Sequence, residues 1–504
     1  MPVVVPSGRF HKDRFPVTPE QFGAIGDGVV EDTDAVQAAF TSAGGGGAVY
    51  LSPGKTYLCD LDVKPASFSV ITGPGTIDLV HDGTSQSTAV FLDGITDVII
   101  DGITITQSNA TERDANYGLI RGEDSSKVIV RNCRLGTHAS TLIWTLRCSY
   151  WTVTGNYGEG SWADGFHFSR GTHHVVVSGN KFFNVRDDAI AVNSITDDGS
   201  TTYDPCTDFT IIGNVISDTL VAGNGIAVNG GNRIAIIGNA IEAPISNGIY
   251  VGAVFSGDQE TYPWTDVAVV GNVIHDVGGV NKGISIVGES GAPGLRATCS
   301  ANVVNTGSEA TAIYTDYVDH GVFSGNTVVC SGDGHGIHVL HNNRSTVTGN
   351  SIRGSGSPTT SAGILFNGSG YCTATGNIVT DCQVGVYEIS STNPIHVTNN
   401  VLQGNTSTAV GGTPLTTSVY RANASYNPRG VVVVSVPSSG VAVAAIQYDR
   451  VFYVTANAGG ATTCVVGGTS VVVPASACVP VHVPAGVTMT PTYSSAPTWV
   501  VYGQ

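Results

Sequence analysis

The chain is short of charge, and of positive charge above all. Asp, Glu, Lys and Arg make up only 12% of its 504 residues, and 22 basic side chains face 39 acidic ones, for a formal net charge of −17. Such a surface repels a phosphate backbone, so no nucleic-acid partner is expected. An acidic polysaccharide would need a locally basic site to overcome the same field. No apolar run approaches a membrane span, and Met1 to Phe15 holds no apolar core of signal-peptide length. No membrane contact is expected, and any route out of the cell would be by lysis or within an assembled particle. Ten cysteines are scattered without metal-ligand spacing, and no glycine-rich strand-to-helix turn of the nucleotide-binding kind occurs. Neither metal nor cofactor is expected. The cysteines read as small buried hydrophobes, with Cys464 and Cys478 as a pair that could bridge.

What is abundant is glycine, 65 residues of it, with Val, Ile and Thr: the profile of a strand- and turn-rich protein. An internal repeat organises these residues. Short apolar strands end in Gly-Asn or a variant, with the Asn at Asn132, Asn156, Asn180, Asn214, Asn239, Asn272, Asn302, Asn326, Asn350, Asn377 and Asn400. A second strand of the form small-Ile-x-Val recurs with it, as in Gly225-Ile226-Ala227-Val228 and Gly248-Ile249-Tyr250-Val251. The smallest step is 23 residues, with additions of up to about ten. Strands this short cannot bury a core alone, but stacked coils can, with Ile and Val of one coil on those of the next. Asn at the corner tolerates left-handed backbone, and its amide can bond the Asn above and below. The expectation is an all-β fold, a single-stranded parallel β-helix.

Such a solenoid needs caps. Asp32 to Phe40 reads as a short amphipathic helix with Asp32 as its acidic N-cap and Gly44 past its end. After Asn400 the repeat fades, and from Val431 the pattern becomes short Val-rich strands separated by Pro or Gly, a small β-sandwich-like module. The expected organisation is an arm over 1–18, the β-helix over 19–410, a linker over 411–428 and the module over 429–504. The module carries almost no charge, which suits either a surface between protomers or a folding cap.

Three parts of the chain resemble known families. Phe22-Gly23-Ala24-Ile25-Gly26-Asp27-Gly28, followed by Asp32-Thr33-Asp34 and the helix, is similar to the opening of the pectate-lyase-like superfamily, whose fold is a right-handed β-helix. Phage tailspike and depolymerase proteins share that opening. The resemblance implies a virion-tail or extracellular setting, a bacterial surface or capsular polysaccharide as partner, and a homotrimer. Asn427-Pro428 to Trp499 resembles, more weakly, C-terminal modules of phage tail proteins. Ala163-Asp164-Gly165 and Arg186-Asp187-Asp188-Ala189-Ile190 are similar to the aspartate pair of motifs in polygalacturonase-type glycoside hydrolases. This likeness implies that Asp164, Asp187 and Asp188 are the catalytic set and that hydrolysis inverts the anomeric centre. The cations that hold a uronate in that family have no counterpart: Asn224 and Asn247 stand there.

The residues support the same reading on their own. Aligned by coil, the position before the small-Ile-x-Val strand reads Asp164, Asp188, Asn224, Asn247, Lys282 and His335. Parallel neighbours lie about 4.8 Å apart, so Asp164 and Asp188 should meet, with Asp187 beside them. Carboxylates that near raise one pKa, leaving one acid protonated while another activates water. The next outward column reads His167, Ala191, Ala227, Tyr250, Ser285, Tyr314 and His338, a trough bounded by aromatic side chains on which sugars stack. The longest insertions, Ser194 to Thr207, Ala253 to Thr265 and Gly288 to Ala297, leave from one edge and should wall it. Trp162, His167, Asn193, Asn224, Tyr250, Lys282 and Trp264 are the expected substrate contacts, with Tyr203 and Tyr262 near the same edges. Asp316, Asp319, Asp333 and His335 form a second polar cluster. Alternatives on the same fold are a polysaccharide lyase, with Lys282 and Arg296 as cations, a glycan transferase, and a non-catalytic carbohydrate-binding adhesin.

Overall fold

A computed structural model describes residues 15–80, 88–113, 117–194, 204–221, 223–253, 255–256, 259–260, 263–277, 281–307, 310–355, 361–424, 431–432, 435–443, 450–484 and 486–503. The chain divides into two compact units, Met1–Ala310 and Thr311–Gln504.

In the first unit each coil supplies three short strands. His173–Ser178, Lys181–Val185 and Ile190–Asn193 make one coil, and Thr207–Ile212, Val215–Thr219 and Ile226–Asn229 the next. They pair in parallel, Val175 on Phe209, Phe182 on Ile216 and Ile190 on Ile226, so the coils build three parallel sheets around one core as a right-handed β-helix. Alternation sends every second side chain inward. Val153, Val177, Ile211, Ile236 and Val269 therefore stack in one column, and all are fully buried.

The corner works differently from the expected left-handed asparagine. The left-handed residue is the one before it: Gly155, Gly179, Gly213, Gly238 and Gly271 have φ of 60–67°. The asparagines themselves are sealed inside, where the Nδ2 of Asn156, Asn180, Asn214, Asn239 and Asn272 each donates to the Oδ1 of the next at 2.9–3.0 Å. Asn132 takes the glycine's place, with φ 55°. Cys133 occupies the ladder position, donating its backbone N–H to Asn156 Oδ1 at 2.9 Å.

The capping helix spans Thr33–Ser42. Asp32 precedes it but does not cap it by its side chain. Its buried carboxylate instead accepts the N–H groups of Ile25 (2.7 Å) and Gly26 (2.9 Å), tying the Phe22–Gly28 turn to the helix start. The left-handed turn beyond the helix is made by Gly45 and Gly46, not Gly44.

The second unit repeats the plan. Its own ladder runs Asn326, Asn350, Asn377, Asn400 and Asn423 at 2.9 Å per step. The coils thus continue past 410: Val419–Arg421, within the segment expected to be linker, pairs with His396–Thr398 and buries Tyr420. Glu388, also buried, accepts Ser418 Oγ at 2.8 Å and the Leu415 N–H at 3.2 Å, and it bonds the Tyr420 hydroxyl. Two antiparallel sheets follow. Val431–Val432, Thr498–Gly503, Arg450–Thr455 and Cys478–Val483 form one; Thr469–Val473, Thr462–Val466 and Met489–Tyr493 form the other. Phe452, Val454, Cys464, Val481, Met489 and Val501 share their core. All ten cysteines are free, nine of them buried, and Cys464 and Cys478 do not bridge. Burial pushes the thiols of Cys59, Cys206 and Cys299 up to about 12. Among the described residues no helix is long and apolar enough to cross a membrane.

Candidate active site

The site lies on the third sheet of the first unit. Phe166–Ser169, Ile190–Asn193, Ile226–Asn229, Ile249–Gly252 and Lys282–Val287 stack in parallel. Phe166, Ile190, Ile226, Ile249 and Ile284 point into the core and are fully buried, which fixes His167, Ala191, Ala227, Tyr250 and Ser285 as the outward column.

The turn before these strands forms a second polar ladder. Asp164 Oδ1 accepts the Asp188 N–H at 3.1 Å. Asp188 Oδ1 accepts both the N–H and the Nδ2 of Asn224 at 2.8 Å. Asn224 Oδ1 takes the N–H and Nδ2 of Asn247, and Asn247 Oδ1 takes the Lys282 N–H at 3.0 Å. Asn224 therefore braces Asp188, and Lys282 enters through its backbone.

One oxygen from each of Asp164, Asp187 and Asp188 lies within 4.8 Å of the other two. Asp164 Oδ2 sits 2.5 Å from His167 Nδ1. His167 is backed by Asn193 Nδ2 at 3.3 Å from its Nε2, and Asn193 Oδ1 accepts Asn229 Nδ2 at 2.5 Å. Arg113 reaches across 74 positions of sequence to donate to Asp187 Oδ2 at 2.9 Å. Burial, then the charge of Asp164, pushes the Asp188 carboxyl well above its ordinary range, against the opposing N–H of Asn224. The same two causes raise Asp187, with Arg113 pulling the other way. Carboxyls so arranged hold a proton more readily than an ordinary aspartate and can pass it to a leaving group.

The aromatic expectations fare unevenly. Trp162 is half-buried, and the Arg186 guanidinium lies 3.2 Å from its ring centre, so one face is already covered. Tyr250 follows Ala227 in the outward column, where burial and then Glu289 and Asp188 raise its phenol. Trp264 is a correction: it is fully buried and donates Nε1–H to the Val287 carbonyl at 2.7 Å, so it is core and not a sugar contact. The cause is Asp266, whose φ of 56° breaks the strand's alternation and turns Trp264 inward beside Val267. Tyr203 and Tyr262 lie outside the described residues. In the second unit, Asp316 accepts from Tyr314 Oη (3.3 Å) and lies 3.0 Å from His341 Nδ1, a partner the sequence did not suggest.

Three residues, one bonded to an aspartate and two farther along the outward column, escaped the sequence reading. Arg113 sits in a loop with no repeat to align it. Trp144 and Arg121 extend the outward column toward the N-terminus, in register with His167. The alternation of Gly118 to Arg121 and Thr141 to Trp144 was the signal for them.

The fold and these residues define the chain as a right-handed parallel β-helix protein with a carboxylate cluster on one sheet. The likeness to pectate-lyase-type helices and phage tailspikes, read from the sequence, holds at the level of fold. The family model for a right handed beta helix region matches residues 88–262, and that for periplasmic copper-binding protein (NosD) matches 260–427. Depolymerase 1, capsule K30/K69-specific, of Klebsiella phage K5-2 is 44% identical over 57 residues, which is 11% of this chain and 7% of that protein. The chain is thus matched over only a small part of that relative's length. Among solved structures, the chain is similar to the GH87 α-1,3-glucanase catalytic unit of Streptomyces thermodiastaticus (18% identity, 82% of this chain, 71% of that one, TM-score 0.48). It is also similar to the Streptococcus pneumoniae surface adhesin PfbA (14%, 79% and 92%, TM-score 0.47) and to tailspike protein 3 of bacteriophage CBA120 (13%, 85% and 65%, TM-score 0.42).

Proposed function

We propose that this protein is a glycoside hydrolase that cuts a bacterial surface or capsular polysaccharide, as the depolymerising part of a phage tail. The observation that carries the reading is the packing of three carboxyls within 4.8 Å, with Asp187 and Asp188 both raised. Asp188, raised most, is the acid that protonates the glycosidic oxygen as the C–O bond breaks. Asp187, drawn toward its ionised form by Arg113, takes a proton from the water that attacks the anomeric carbon. Asp164, held by His167, stays beside Asp188 and favours its protonated form. The sum is one water added per bond cut, giving a new reducing end and a free hydroxyl.

Inversion comes with the motif likeness. The tight spacing is shorter than the roughly 6.5–9.5 Å that leaves room for a water between two carboxyls, and the anomer first released, read by proton NMR, decides between the two outcomes. Trimerisation is part of the proposal, with the nearly uncharged C-terminal module as a candidate contact surface, and sedimentation of the full chain tests it. The main test is to incubate the protein with a panel of capsular polysaccharides and weigh the products. A gain of one water per cut is expected, and each of Asp187→Asn and Asp188→Asn should lower the rate by about a thousandfold. Unsaturated products would replace hydrolysis with elimination. Binding without shortening of the polymer would make the protein an adhesin.

A further inference from the structure

We infer that the groove holds a second sugar position, built on Arg121, Glu123 and Trp144 and shaped for a neutral pyranose. The inference rests on the reading of the aspartates as a glycan-cutting centre and adds the class of sugar held beside it. Phe91, Arg121, Trp144 and His167 follow one another in register up the outward column. Arg121 therefore stands two coils from His167, about 10 Å at the spacing of parallel strands, within reach of a short stretch of the same glycan.

The Arg121 guanidinium is held by its surroundings. It lies 5.2 Å from the ring centres of Phe91 and Trp144 and 5.6 Å from that of Tyr117. One of its nitrogens pairs with Glu123 Oε1. The two side chains keep 17% and 21% exposure, so an edge of the pair faces solvent. Trp144 is fixed as well, by Nε1–H to Ser169 Oγ at 3.2 Å and by edge contacts with Tyr117 and His167. A guanidinium and a carboxylate side by side offer donors next to an acceptor, which matches the adjacent hydroxyls of a sugar. An aromatic ring beside them suits its C–H face. A sugar carboxylate would meet Glu123 with the charge of Arg121 already engaged, inside a chain of net charge −17. The position therefore selects an uncharged residue.

The test labels the full chain with 5-fluorotryptophan, whose five sites give separate fluorine signals, and identifies that of Trp144 from Trp144→Phe. Methyl β-D-glucopyranoside, methyl β-D-galactopyranoside and methyl α-D-mannopyranoside are titrated in, with D-glucuronate and D-galacturonate in parallel. At least one neutral glycoside should shift the Trp144 signal saturably. Arg121→Met should weaken that binding about tenfold, while Arg233→Gln, whose side chain pairs with Asp208 on another sheet, leaves it unchanged. The signals of Trp151 and Trp264, both fully buried, report whether a variant keeps its fold. If Arg121→Met disturbs them, Glu123→Gln serves instead, and should weaken neutral glycosides while admitting the uronates. The inference is overturned if no neutral glycoside moves Trp144, if uronates bind more tightly than all of them, or if neither variant changes the affinity. Because binding is read without turnover, a protein that cuts no polysaccharide would end the hydrolase reading and leave this result standing.

Discussion

At the scale of single residues, the site keeps a carboxylate where the ladder offers a place to an amide. Asp188 stands in line with Asn224 and Asn247, and its Oδ1 already accepts two donors from Asn224. An asparagine at 188 would keep those bonds, and its amide could donate to Asp164. Because Asp188 is raised in the folded state, its stability contribution is full below the unfolded pKa and is lost as pH rises through the folded one. Above the unfolded pKa the raised carboxyl costs stability relative to an uncharged amide. Asp188→Asn should therefore raise thermal stability by about 1 kcal/mol at neutral pH while lowering the rate about a thousandfold, and the gain should shrink in acid. Melting curves of both proteins across that range check it; equal melting temperatures at neutral pH would count against a raised carboxyl at 188. Arg113 gives a kinetic counterpart. It opposes the upward shift of Asp187, so Arg113→Gln should raise that pKa and move the acid limb of the kcat/KM profile to higher pH, since the base must be ionised. An unmoved limb would take Asp187 out of the role of base.

At the scale of strands and turns, the ladder makes a prediction in the opposite direction. Cys133 fills an asparagine position: its N–H already donates to Asn156 Oδ1, and its Sγ lies 3.7 Å from the Ile100 carbonyl. That carbonyl is equivalent to the ones that Asn156 and Asn180 bond through Nδ2. Cys133→Asn should extend the ladder by one rung and stabilise the protein by about 1 kcal/mol, seen as a higher denaturant midpoint with an unchanged slope. Asn214→Ala, which strands the paired groups of Asn180 and Asn239, should cost about 2–3 kcal/mol. The same elements show what the sequence could reveal. Strands that alternate and repeat at a fixed interval announce stacked coils, and so the meeting of Asp164 with Asp188 was legible. What breaks alternation was not. Left-handed backbone is taken by Asp208, Arg233, Asp266 and Arg296 alike, residue types with no shared signature, and one such turn reverses Trp264. Asn132 misled for a related reason, since Asn substitutes for the left-handed Gly as readily as it forms a rung. Arg113 arrives from a loop, and only the folded chain brings it to Asp187.

At the scale of the whole molecule, the charge of −17 and its distribution constrain the substrate. Much of the basic charge near the surface of the coils is engaged by carboxylates. Arg131 pairs with Asp101, Arg147 with Asp124, Arg233 with Asp208 and Arg296 with Asp266, at 2.6–2.9 Å. Pairs of this kind contribute little stability, and among the described residues they engage four guanidiniums that could otherwise attract a polyanion. A polyanionic glycan would approach against the net field, and salt would screen that repulsion over about 10 Å at 0.1 M. Its kcat/KM should then climb with ionic strength. A neutral glycan has no such barrier, and for the polymer this protein cuts kcat/KM should change less than about twofold from dilute buffer to high salt. A steep rise with salt would mark the substrate as an anion and set the whole-chain field against the charge balance at Arg121 and Glu123. A steep fall would mean that basic side chains other than these four guide an anionic substrate to the site.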